Sequence, residues 1–89
     1  MPFWIRKFKS KNRKYMEVKL WKYRNYKWNE YEVVCTGFLT ENKEEVVIYK
    51  QHYESDEFPY WTLWVRKKQE FIWIIEVQGS VVPRFTYID

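Results

Sequence analysis

At 89 residues the chain has room for one domain, and an aromatic content of 22% gives it enough burial to fold, which excludes wholesale disorder. The formal net charge of +4 is unevenly placed: residues 1–15 hold six of the sixteen bases and no acid, leaving ten bases against twelve acids in the remainder. The expected folded body is therefore slightly acidic, which argues against a nucleic-acid footprint spread over all of it.

The first fifteen residues read as a basic, aromatic extension and residues 16–89 as the domain. "FWIRKF" can form an edge strand that docks on the domain, whereas "KSKNRK" is a solvated, self-repelling run. Arg6, Lys7, Lys9, Lys11, Arg13 and Lys14 are the residues this segment would offer to phosphates. "MEVKL" then alternates Met16, Val18 and Leu20 with Glu17 and Lys19, the period of a half-buried strand. "YEVVCTGF" is rich in β formers, and "TENKEE" after it is a polar hairpin turn centred on Asn42.

"EEVVIYKQHY" sets Val46 and Ile48 on one face and Val47 and Tyr49 on the other, before "ESDEFP" forms an exposed loop closed by Pro59. In "WTLWVR", Trp61, Leu63 and Val65 alternate with Thr62, Trp64 and Arg66; the aliphatic pair predicts an inward face, with Trp64 and Arg66 on the outer or groove-facing side. The charged break "KKQE" allows one helical turn, and "FIWIIEV" reads as a strand covered on both faces. Gly79 and Pro83 bracket a last turn before "RFTYI". The sum is an all-β chain: a small barrel or sandwich of five to six short strands.

Four stretches in order, "KYRNYKWNEYEVV", "TENKEEVVIY", "LWVRKKQEF" and "VPRFTYI", resemble a bacterial family of domains of unknown function, number 1653. The resemblance runs from about Met16 to Ile88 and implies an SH3-like barrel without an established activity. It rests on Tyr23, Arg24, Tyr26, Lys27 and Tyr31; on Thr40, Glu41, Val47 and Tyr49; on Trp64, Val65, Arg66 and Phe71; and on Pro83, Arg84 and Phe85. Asn25 and Leu39 stand where the family pattern carries His, Lys67 replaces a Pro, and Trp28 replaces the Gly of the first hairpin, a position where positive φ is costly for Trp.

Few residues suggest catalysis. Cys35 lies within an apolar strand pattern and reads as a small buried core residue, and His52, the single histidine, has no visible tie to it. Glu54, Asp56 and Glu57 lack the spacing of a calcium loop, no zinc-ligand cluster appears, and two glycines make no phosphate cradle. No enzyme activity, cofactor or metal is therefore expected. The remaining candidate is an aromatic–arginine set: Arg24, Tyr26, Tyr49, Tyr53, Trp64, Arg66 and Arg84. It can be packing, with arginines covering rings and pairing with Glu32 or Glu41, or a groove for a peptide or small ligand.

The alternative function is nucleic-acid binding, the basic extension neutralising phosphates while Trp64 or Tyr49 stacks a base. Exposed rings on an edge strand would also suit a dimer. The lone cysteine, and the lack of a secretory signal or an apolar span, point to the cytoplasm.

Overall fold

Alternating side chains close to a turn signal make the hairpins of this chain, and the computed structural model, which describes residues 17–88 and the backbone of residues 5–8, shows where each alternation begins and fails. The strands are β1 (Ile5–Phe8), β2 (Trp21–Asn25), β3 (Glu30–Phe38), β4 (Glu45–Gln51), β5 (Leu63–Lys67), β6 (Ile74–Val77), β7 (Ser80–Pro83) and β8 (Phe85–Tyr87). One helical turn, α1 (Lys68–Phe71), lies between β5 and β6. All pairings among them are antiparallel, in a sheet ordered β5-β4-β3-β2-β8 and a second ordered β1-β6-β7. The all-β expectation holds, with more strands than the five or six foreseen. The barrel is not closed, because β5 and β8 end the larger sheet without pairing to each other.

Two expected strands are displaced. Glu17–Lys19 has no regular structure, so the alternation of "MEVKL" does not become a strand (Met16 lies outside the described residues). "FIWIIEV" is divided: Ile72 N–H donates to Lys68 O at 3.0 Å and Trp73 N–H to Glu70 O at 3.3 Å, so the run starts as the end of a helical turn. That turn drops Phe71 and Ile72 into the core, and only Ile74–Val77 is strand.

The turns are built by local side chains. The Asn25 carboxamide oxygen accepts the N–H groups of Lys27 at 3.0 Å and Asn29 at 2.9 Å. It thereby holds the first hairpin turn although Trp28 sits at φ 72°. Trp28 is 75% exposed and its ring lies under the Arg24 guanidinium at 4.9 Å, so nothing in the core repays its left-handed backbone. Trp28→Gly is expected to raise the stability by about 0.5–1 kcal/mol, read as a higher urea midpoint with unchanged slope. The Asn42 turn forms as foreseen, with the Asn42 carboxamide oxygen accepting Glu44 N–H at 3.0 Å and Lys43 at φ 62°. Gln78 at φ 52° and Gly79 at φ 82° make the two-residue turn between β6 and β7.

The core is mainly aromatic. Tyr23, Tyr31, Tyr49, Phe71 and Phe85 pack with Val33, Val47 and Ile72, and Val18, Tyr53 and Trp64 close around them. Phe71 and Phe85 stack at 4.2 Å with planes 6° apart; the tyrosines meet them and one another edge-on at 5.2–5.6 Å.

Register corrects the expected facing of β5. Arg66 lies opposite Val47 and Trp64 opposite Tyr49, so both share the face of β4 that enters the core. Leu63 and Val65 look outward and are 60% and 63% exposed. The reason is that an indole carries more apolar area than Leu or Val and also finds a buried acceptor, described below, so the core claims Trp64. Cys35 is likewise exposed instead of buried. A β-bulge between Val33 and Cys35 interrupts the alternation, so Val33 points inward and Cys35, opposite Ile48, points out.

Candidate functional site

The aromatic–arginine residues divide into two groups in the structure. β4 and β5 bring Tyr49, Trp64 and Arg66 together with Tyr31 of β3 around an open cleft of about 160 Å³. Tyr53 joins through Tyr31, their hydroxyls 2.8 Å apart. Burial first, and then this hydrogen bond, push the Tyr31 phenol well above its ordinary range, so it stays protonated. Arg24 and Tyr26 lie apart from this cleft, lining a separate depression with Trp28, Val82 and Pro83.

Gln51, a residue the sequence reading passed over, organises the cleft. It is 1% exposed, the one buried polar side chain among the described residues. Its carboxamide NH₂ lies 2.9, 3.1 and 3.2 Å from the carbonyls of Tyr53, Phe58 and Pro59, and its oxygen accepts the Trp64 indole N–H at 2.9 Å. One amide thus fixes the acidic loop and aims Trp64. The loop returns over the indole, with the Phe58 ring edge-on to Trp64 at 4.7 Å. A glutamine ending a strand pattern just before a Pro-containing loop is the only sequence trace of this role.

Arg66 is held at its Nε, which donates to the Tyr49 hydroxyl at 3.1 Å. Its Nη1 lies 3.6 Å from Glu70 Oε1, an ion pair too long for a hydrogen bond. Arg84 follows β7, its backbone pinned on both sides: its N–H donates to Trp73 O and its carbonyl accepts Tyr26 N–H, each at 2.9 Å. Burial and then the nearby Arg66 charge pull the Arg84 guanidinium below its ordinary value, against the opposing effect of Tyr26, Glu70 and Tyr49. Its buried Nε has no hydrogen-bond partner among the described residues.

Other expected partnerships differ. Glu32 pairs with Lys50 at 4.0 Å and His52 at 3.1 Å, not with an arginine, and Glu41 accepts the Thr40 hydroxyl. His52 is committed to Glu32 and packs edge-on against Trp61 at 4.8 Å, so it does not serve Cys35. Among the described residues no three His, Cys, Asp or Glu side chains gather to hold a metal ion, and no helix is long and apolar enough to cross a membrane. The ring of Tyr49 is 4% exposed and enclosed by Tyr31, Phe71 and Phe85, so it presents no face on which a base can stack. Of the phosphate-binding candidates, Lys9, Lys11, Arg13 and Lys14 lie outside the described residues. Arg6 and Lys7 lie on β1, opposite Glu76 and Ile75 in register.

No curated protein matches the chain. A crystal structure of a DUF1653 protein from Bordetella bronchiseptica is similar in fold, with a TM-score of 0.71 at 24% identity over 81% of this chain and 88% of that one. The sequence pattern of the family described as "Protein of unknown function (DUF1653)" matches residues 21–87, the span that contains both sides of the cleft, and the chain belongs to that family.

Proposed function

We propose that this is a non-catalytic binding module of the cytoplasm, and that the cleft bounded by Tyr31, Tyr49, Trp64 and Arg66 receives part of a peptide or a small ligand. The observation that supports this reading is the combination of rigid rings with an under-used guanidinium at an opening of about 160 Å³. The rings are fixed by core contacts and by Gln51, so a ligand meets walls that need no ordering on binding. Arg66 reaches the opening with its Nε occupied and its terminal nitrogens lacking a short acceptor. The cytoplasm is a reducing compartment in which an exposed, unpaired Cys35 persists as a thiol.

The test is a proton–nitrogen correlation spectrum of the full chain titrated with short peptides and small metabolites of differing charge. A true ligand shifts the Trp64 indole signal saturably and leaves that of the distant, exposed Trp28 unmoved. It should lose only a few-fold in affinity between about 50 and 200 mM salt, against the thousand-fold or greater loss of a surface that binds many phosphates. A Trp64 signal that no compound moves, or equal shifts at every indole, overturns the reading.

A further inference from the structure

We infer that β5 is the edge through which the protein dimerises, pairing antiparallel with β5 of a second copy about a two-fold axis at Val65. The inference does not depend on the cleft, which uses Trp64 and Arg66 on the opposite face of the same strand.

Four strands end a sheet among the described residues: β5, β8, β1 and β7. Sheet edges are ordinarily protected by brevity, charge or proline. β8 has three residues, β1 carries Arg6 and Lys7, and β7 ends in Pro83. β5 is five residues long, has no proline, and turns the well-exposed Leu63 and Val65 outward. Its free side also offers hydrogen bonds. Thr62 O accepts Gln51 N–H at 3.0 Å, so by alternation Leu63 and Val65 direct both backbone groups away from β4, as Lys67 does its N–H. No strand of the described residues meets them.

The strand is complementary to itself. A two-fold axis at its middle residue overlaps its whole length, setting Val65 against Val65 of the second copy and each Leu63 against a Lys67, so that no like charges oppose. The Lys67 stem can cover Leu63 while its ammonium stays in water. Cys35, Ile48 and Val65 lie side by side on β3, β4 and β5, and the axis would join this apolar row to its copy. A register shifted by one residue would call on Trp61, which has φ 75° and gives its N–H to Gln51 O, and so cannot extend the ladder.

Charge selects the same partner and direction. Glu54, Asp56 and Glu57 lie in the loop that leads into β5, and none of them makes an ion pair among the described residues. Arg66, Lys67 and Lys68 lie at the far end, held at 3.3–3.6 Å by the partly exposed carboxylates of Glu70, Glu44 and Glu45. Such exposed pairs are weak and leave the bases able to share a second acid. Antiparallel pairing of two copies brings each basic end to the acidic entrance of the other, whereas parallel pairing sets like against like.

Sedimentation velocity of the full chain tests this. Monomer is expected to give way to dimer between about 10 µM and 1 mM, the range of an interface no larger than about 1,200 Å². Raising the salt from about 50 to 300 mM should weaken association about two- to five-fold. Val65→Lys and Val65→Glu each set two like charges against each other at the axis and should each weaken association more than about ten-fold, whereas their equimolar mixture should associate at least about ten-fold more tightly than either alone. Val81→Lys, on β7 and 62% exposed against 63% for Val65, should leave association unchanged. A well-dispersed correlation spectrum certifies the fold of each variant. A chain that stays monomeric at every concentration, a Val81→Lys as damaging as Val65→Lys, or a charge-paired mixture that does not associate overturns the inference.

Discussion

Phe71→Ala is expected to destabilise the protein by about 3–5 kcal/mol, a large part of the roughly 5–13 kcal/mol available to a domain of this size. Phe71 is 2% exposed and stacks on Phe85 at 4.2 Å, with Tyr23 and Tyr49 edge-on to it. Four rings drawn from β2, β4, α1 and β8 therefore share this one contact, and its truncation leaves a cavity that none of them can fill without leaving a strand. Urea unfolding followed by tryptophan fluorescence measures the loss. Leu63→Ala and Val65→Ala, both on the outer face, should each cost less than about 1 kcal/mol by the same measurement. Equal losses at Phe71 and Val65 would show that the facing of β5 assigned here is wrong.

Gln51→Ala should be nearly as damaging, at about 2–4 kcal/mol, although the residue is polar. The substitution takes the acceptor from the Trp64 indole and a donor from the carbonyls of Tyr53, Phe58 and Pro59; Phe58 O keeps Ser55 and Pro59 O keeps Thr62 as donors, so the desolvation cost falls on the indole and on Tyr53 O. The loop between β4 and β5 should loosen first, so amide exchange in residues 53–62 is expected to speed up at least ten-fold under native conditions. Gln51→Glu separates the hydrogen bonds from the volume. A carboxylate facing carbonyl oxygens is disfavoured in the fold, so its folded pKa rises above the ordinary value of about 4.3. Stability of Gln51→Glu relative to the parent should then fall as the pH climbs from about 4.3. A parallel pH profile for the two proteins would contradict the buried network.

Much of the architecture is legible in the chain because its turns announce themselves. Asn42, Gly79 and the acidic loop before Pro59 mark turns that the structure contains, and the family motifs fall on β2, β3, β4, β5 and β8. What periodicity does not carry is which side of a strand faces in. Leu63 and Val65 outrank Trp64 and Arg66 by hydropathy, but the partner strand decides, and Tyr49 and Val47 draw Trp64 and Arg66 inward. Cys35 escapes the pattern because a bulge has no side-chain signature in "YEVVCTGF". For the cleft, Tyr49, Trp64 and Arg66 could be nominated from residue type, with Tyr53 joined to it through Tyr31, whereas Arg84 is not among its lining residues and lies over the Trp73 ring. Arg24 and Tyr26, nominated on the same grounds, sit in another depression. Gln51 was invisible because a lone glutamine at a strand end has many mundane uses, and only the fold gathers three carbonyls and an indole around it.

The placement of β8 against β2, with Tyr87 opposite Tyr23, bears on how the protein matures during synthesis. Hairpins such as β6–β7 can close within microseconds of emerging from the ribosome. The outer edge of β2 has no such option, since β8, which covers it, follows every other described strand in chain order. Until then the nascent chain carries an uncovered strand and a half-built ring cluster, the kind of surface that invites mispairing or chaperone capture. Arrest of translation before Phe85 would therefore leave a species prone to self-association, because only β8 covers that edge of β2.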